Sequence, residues 1–152
     1  MLYPALAFHA HALASSGALA DAGRVVDELL VAWRSKLDFD QPSSWVVDLA
    51  LALDFLDRRR ELVEVAGAVT NTTAWLSAAV AFASRDFSEA ADLFARIGSR
   101  PDEAGARLKA AWMAAGAGRA DEAQDQLGRA LAFYRLVEAN ARLEQAGAAV
   151  GR

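Results

Sequence analysis

Apolar residues recur every three or four positions along most of the chain, which is the spacing of one face of an α-helix. The segment 20–36 carries one such stripe. The segment 43–57 is apolar on more than one side, which indicates burial between neighbours. Proline, glycine and capping residues divide this apolar pattern into separate helices. The predicted helices span 3–15, 20–36, 43–57, 58–69, 74–84, 88–97, 100–115, 121–137 and 142–150.

A short turn motif recurs between pairs of these helices. The segments 17–22, 85–90 and 118–123 read GALADA, RDFSEA and GRADEA. Ala90 and Ala123 are 33 residues apart, and Ala22 and Ala90 are 68 apart, which is twice 34. A period near 34 that is built from helical hairpins is typical of a tandem helical repeat. Hairpins are predicted at 3–36, 43–69, 72–97 and 100–137, followed by a capping helix at 140–150.

Small residues occupy matching positions around each turn. Counting back seven residues from Gly17, Asp57, Arg85 and Gly118 gives Ala10, Ala50, Ala78 and Ala111. Counting forward five gives Ala22, Leu62, Ala90 and Ala123, of which Leu62 departs from the pattern. This arrangement resembles the tetratricopeptide family, in which small residues at both places let paired helices cross closely. The resemblance implies an all-α fold, a right-handed superhelix of about four antiparallel helical hairpins plus a C-terminal capping helix.

The last third of the chain is similar to the C-terminal end of large bacterial regulators. In those proteins an ATPase module and a tetratricopeptide-like array are joined to a LuxR-type DNA-binding domain or an adenylate cyclase domain. The similarity rests on segments 97–104, 118–123 and 130–135, which read IGSRPDEA, GRADEA and ALAFYR. It implies a non-catalytic protein–protein interaction or scaffold module in signalling or transcriptional control. The chain would then be a piece of such a regulator or a stand-alone relative.

Composition narrows the classes of function. Alanine contributes 37 of 152 residues and proline only 3, which favours helix throughout. A net charge of −4 argues against direct binding of nucleic acid, which requires a basic surface. Without cysteine there is no disulfide or thiolate metal site, and a cytoplasmic location is expected. No apolar run reaches membrane-spanning length, and no P-loop or nucleophile motif is present. The sequence therefore predicts no enzyme activity, no cofactor and no membrane association.

A partner is expected to bind in the groove lined by the first helix of each hairpin. Two tryptophans fall on these helices and are candidate binding hot spots. Lys109 precedes one of them and could bind a carboxylate, and the acidic second hairpin could bind a basic peptide. His11 is placed on the groove side, whereas His9 is expected to pack between helices. The candidate groove residues are His11, Asp48, Asp54, Trp75, Lys109 and Trp112. Packing and solvation remain alternative roles for all of them.

Two other functions remain open. The repeat spacing breaks between hairpins two and three, where a cavity lined by alanine and tryptophan could serve a small-molecule sensor. Exposed apolar faces at the ends of the array could serve self-association into a homo-oligomer. The run Arg58-Arg59-Arg60 could contact phosphate or an acidic tail, or it could pair with the acids around it.

Overall fold

The computed structural model describes residues 2–36 and 41–150, without the side chains of Arg142 and of residues 146–150. All regular secondary structure in this part of the chain is α-helical. The predicted connector at 37–42 lies mostly outside the described residues. The helices are α1 (Leu2–Ser15), α2 (Leu19–Arg34), α3 (Trp45–Phe55), α4 (Arg59–Gly67), α5 (Ala74–Ala83), α6 (Phe87–Ile97), α7 (Arg100–Gly116) and α8 (Ala120–Val150).

The helices form four hairpins, and in each hairpin the two helices are joined by a turn of the same geometry. Each turn has three residues, and the middle residue has a positive φ in every case. The φ values are 88° at Gly17, 55° at Asp57, 64° at Arg85 and 76° at Gly118. In each turn the residue after the one with positive φ donates its backbone N–H to the carbonyl oxygen five residues earlier. An example is Arg58, which donates to Leu53 at 2.8 Å. This is the 6→1 bond of a Schellman-type helix end, and it confirms the four predicted turn positions.

Buried alanines lie where the repeat pattern placed small residues. Ala10, Ala50, Ala78 and Ala111 are at most 4% exposed. The two helices of each hairpin contact one another, and each of α2, α4 and α6 also contacts the helix that follows it. Among the first helices of the hairpins, α1 contacts α3 and α3 contacts α5. One apolar core therefore runs through successive hairpins, with methyl-sized side chains inside it.

Aromatic residues close the junction of the first three helices. The rings of Trp33 and Trp45 meet edge to face with their centroids 5.0 Å apart, and Tyr3 lies 5.2 Å from Trp45. Farther on, the Thr73 hydroxyl donates to the Pro42 carbonyl at 2.6 Å and accepts from the backbone N–H of Leu76. Thr73 therefore caps the N-terminus of α5, and it also anchors the connector before α3.

A buried arginine joins the last three helices. Arg107 is 1% exposed, and its guanidinium donates to Glu103, Gln126 and Asp92 at 2.7, 3.1 and 3.2 Å. Gln126 in turn donates to Ser88 on α6 at 3.3 Å. Because each end of the guanidinium has an acceptor, the buried charge is compensated, and it ties α6 and α8 to α7.

The structure corrects two expectations. The predicted break before a separate capping helix is wrong, because α8 continues to Val150. Residues 138–142 read EANAR and contain no glycine or proline, so nothing in them ends a helix. His9 is exposed instead of packed between helices. It lines a shallow surface groove of the first hairpin together with Leu13 and Val25.

Candidate functional site

The predicted groove residues lie on the first helices of the hairpins, and we call the surface that they contribute the first-helix face. It comprises His11 on α1, Asp48, Asp54 and Phe55 on α3, Trp75 on α5, and Lys109 and Trp112 on α7. All six predicted groove residues belong to it. The structure brings four of them together in two pairs, and it exposes the two tryptophans to different degrees.

The first pair joins α1 to α3. His11 Nδ1 lies 2.9 Å from Asp48 Oδ1, and both side chains are about one-third exposed. The imidazole is also 6.4 Å from the ring of Phe55, which is itself half exposed. The carboxylate and the ring together hold the imidazole in one orientation at the surface.

The second pair joins α7 to α3. Lys109 Nζ lies 3.0 Å from Asp54 Oδ2 and 5.7 Å from the ring centroids of both Phe82 and Phe87. Two aromatic faces and a carboxylate therefore surround one ammonium group. Asp54 is also 3.6 Å from Arg59 Nε, so one carboxylate serves two cations. Phe82 was not among the predicted site residues because it joins the site only through packing between hairpins, whereas the pairing of Arg59 with a nearby acid was one of the expected alternatives.

The two tryptophans of this face differ in exposure. Trp75 is half-buried against the core, whereas Trp112 is 64% exposed. Met113 beside it is 41% exposed. Trp112 stands three residues after Lys109, which places both on one side of α7. The structure thus presents a large aromatic side chain beside a cation that is already held in place.

A second surface lies between the α3–α4 turn and the α5–α6 turn, and we call it the arginine groove. Its volume is about 880 Å³. Charged residues form most of its lining: Arg58, Arg59, Arg60, Arg85, Asp57, Glu61 and Glu64. The groove separates hairpins two and three, where a cavity was expected. Of the expected lining of alanine and tryptophan, the groove has one alanine, Ala83, and no tryptophan.

Ion pairs neutralise two of these arginines. Arg58 donates to both oxygens of Glu61, at 2.6 and 2.9 Å, and to Asp27 at 2.6 Å. The hydrogen bond from Arg58 lowers the pKa of the Glu61 carboxyl, and the bond to Glu61 raises the pKa of Arg58. Arg59 is 3.6 and 3.5 Å from Asp54 and Asp57. The Arg58–Asp27 contact also connects the start of α4 to hairpin one, whereas the Arg59 contacts lie within hairpin two.

Other kinds of site are not found among the described residues. They contain no cluster of three or more histidine, cysteine or carboxylate side chains that could hold a metal ion. None of the described helices combines the length and hydropathy needed to cross a bilayer. Comparisons with family models, with curated proteins and with solved structures find no match to this chain. The fold therefore defines a class only, an all-helical protein of packed hairpins, and its function is argued from the two surfaces.

Proposed function

We propose that the protein is a non-catalytic protein-binding module built as a tetratricopeptide-like superhelix, and that a partner docks on the first-helix face. The observation that carries the proposal is the exposure of Trp112, which is 64% in a helix whose neighbouring residues Ala111 and Ala114 are buried. A tryptophan side chain that is exposed in the folded protein contributes a large binding free energy when a partner buries it.

The surroundings of Trp112 suit recognition of a peptide. The Lys109 ammonium is fixed by Asp54 and by two rings, so little side-chain entropy is lost when a partner carboxylate or carbonyl approaches it. The proposal extends to the class of bacterial signalling and transcriptional regulators that the last third of the sequence resembles, where such a module would contact other domains or proteins.

The test is a comparison of Trp112→Ala with Val31→Ala. Val31 is 68% exposed on α2, away from the first-helix face, and so matches Trp112 in exposure. Peptides selected on the wild-type protein from a random library should bind Trp112→Ala at least about tenfold more weakly, as expected for a hot spot. They should bind Val31→Ala with unchanged affinity. Selected peptides that bind both variants like the wild type would exclude this face as the docking surface.

A second candidate function is self-association through α8, and a specific observation favours it. Every residue from 134 to 145 whose side chain is described is exposed. Among them are Leu136, Val137 and Leu143, at 44, 48 and 71% exposure. A second copy suits this surface, since residues 134–145 carry two basic and two acidic residues and would not repel an identical helix. Light scattering should show a dimer that Leu136→Glu with Leu143→Glu converts to monomer. A wild-type monomer at millimolar concentration would rule it out.

A further inference from the structure

The lining of the arginine groove carries four arginines, and its ion pairs leave two of them without a carboxylate partner among the described residues. Arg58 and Arg59 each have two carboxylates within 4 Å. Arg60 and Arg85 are exposed, and neither has an ion-pair partner among the described residues. Glu64 is the remaining acid of the lining. Two guanidinium groups thus face one free carboxylate in a chain whose net charge is −4.

Helix stability does not explain this arrangement. Arg59 and Arg60 lie in the first turn of α4, where the helix dipole favours acidic side chains and disfavours cations. The side chain of Arg58, the N-cap residue, makes no capping hydrogen bond. Moreover, Arg59 Nη1 is buried and has no hydrogen-bond partner among the described residues. Three adjacent arginines therefore occupy positions that do not suit them as helix residues.

The turn residues of the groove give an independent indication. At the middle of the four hairpin turns, hairpins one and four have glycine, whereas hairpins two and three have Asp57 and Arg85. Among the described residues these two are the only non-glycine residues with positive φ. A side chain costs free energy in this conformation, and glycine does not. Both of these strained residues line the arginine groove.

We propose that the arginine groove binds the phosphate group of a ligand, with Arg60 and Arg85 as its principal contacts and Arg59 beside them. Guanidinium groups are suited to phosphate because two parallel N–H donors match two phosphate oxygens. The volume of about 880 Å³ accommodates more than one phosphate, so a diphosphate or a phosphorylated side chain fits. The principal contacts of this proposal, Arg60 and Arg85, lie outside the first-helix face, and the two surfaces meet only where Asp54 pairs with both Arg59 and Lys109.

The first experiment measures pyrophosphate binding by calorimetry at constant ionic strength. Arg60→Gln with Arg85→Gln should weaken the apparent Kd at least about tenfold, because two charge-assisted contacts are removed. The matched control is Arg119→Gln, which removes an exposed arginine from the turn of hairpin four and should leave the Kd unchanged. Glu64→Gln should tighten binding. Equal affinity in the wild type and the double variant, or no saturable binding by the wild type, would overturn the proposal.

The second experiment separates binding from folding. Arg85→Gly should raise the Tm by about 2–4 °C, because glycine relieves the left-handed strain. It should also weaken pyrophosphate binding, so that stability and affinity change in opposite directions. A variant that gained stability and kept full affinity would show that Arg85 is not a ligand contact. A nucleoside diphosphate that binds better than pyrophosphate would identify a free metabolite as the source of the phosphate. A phosphoserine peptide that does so would identify a protein.

Discussion

Lys109 on α7 forms an ion pair with Asp54 on α3, 55 residues earlier in the chain, at 3.0 Å. The ammonium passes the ring of Phe82 on α5 to reach this carboxylate. Side chains from three different hairpins therefore meet at one point of the first-helix face. An array in which α3 and α7 lay far apart could not make this contact, so the pair measures how closely the first helices gather on this side.

A double-mutant cycle tests this pair. Asp54→Ala and Lys109→Ala should each destabilise the protein, and the coupling energy between them should be about 0.5–1 kcal/mol, because both groups are partly shielded from water. The exposed pair Arg119–Glu122 is the matched control, with an expected coupling below about 0.5 kcal/mol. Urea unfolding measures both cycles. A coupling near zero for Asp54 and Lys109 would show that the contact does not form in solution.

Overpacking tests the role of the buried alanines. Ala78→Leu and Ala111→Leu should each lower the free energy of unfolding by about 1–3 kcal/mol, since the added carbons have no space inside the core. Ala115→Leu on the exposed side of α7 should change it by less than about 0.5 kcal/mol. Thermal unfolding compares the three variants. If both buried substitutions left the Tm unchanged, the helix crossings would not be close.

Removal of the buried arginine should be among the most damaging changes in the last hairpin. Arg107→Ala leaves Gln126 without its donor and opens a cavity between α7 and α8, at an expected cost of about 2–3 kcal/mol. Arg129→Ala, on the exposed side of α8, removes the same charge and should cost less than about 0.5 kcal/mol. Urea unfolding, analysed with the same m-value for both variants, compares their losses in free energy of unfolding. Similar losses for both variants would mean that the polar network adds nothing.

Stability should depend on pH through Glu61. Its pKa is below the ordinary value of 4.5 because Arg58 donates to both carboxylate oxygens. The unfolded state then binds a proton at higher pH than the folded state, so this contribution is complete above pH 4.5 and is lost as pH falls below it. Glu61→Gln should cost about 1 kcal/mol at pH 7 and much less at pH 3. A constant difference at both pH values would show that Glu61 does not titrate with folding.

Helices and turns were accessible from local pattern alone. Thr73 caps α5, and Gly98 ends α6 with a φ of 87°, as their residue types predict. The turns at Gly17, Arg85 and Gly118 follow from the 34-residue spacing, whereas the turn at Asp57 departs from that spacing and was placed by the small residue Ala50, seven positions before it. The break predicted before 142 failed because the pattern in α8 weakens there while the helix propensity does not.

The candidate site was predictable only in part. All six candidates lie on first helices, as their positions in the repeat predict, but the pairing of four of them depends on how neighbouring hairpins pack. Trp112 is more exposed than Trp75, although both lie on first helices. The arginine groove had a signal that was not used, namely that Asp57 and Arg85 stand at turn positions where Gly17 and Gly118 stand in the other hairpins.

The sequence by itself determined what depends on near neighbours in the chain: the helices, their caps, the turns and the sides of each helix that are apolar. Only the tertiary structure decided which polar side chains meet, as in Lys109 with Asp54 or Arg107 with Gln126, and which side chains remain in water. The physical reason is distance along the chain. Helical hydrogen bonds and turn preferences act within about five residues, whereas ion pairs and exposure depend on packing between hairpins that no local pattern specifies.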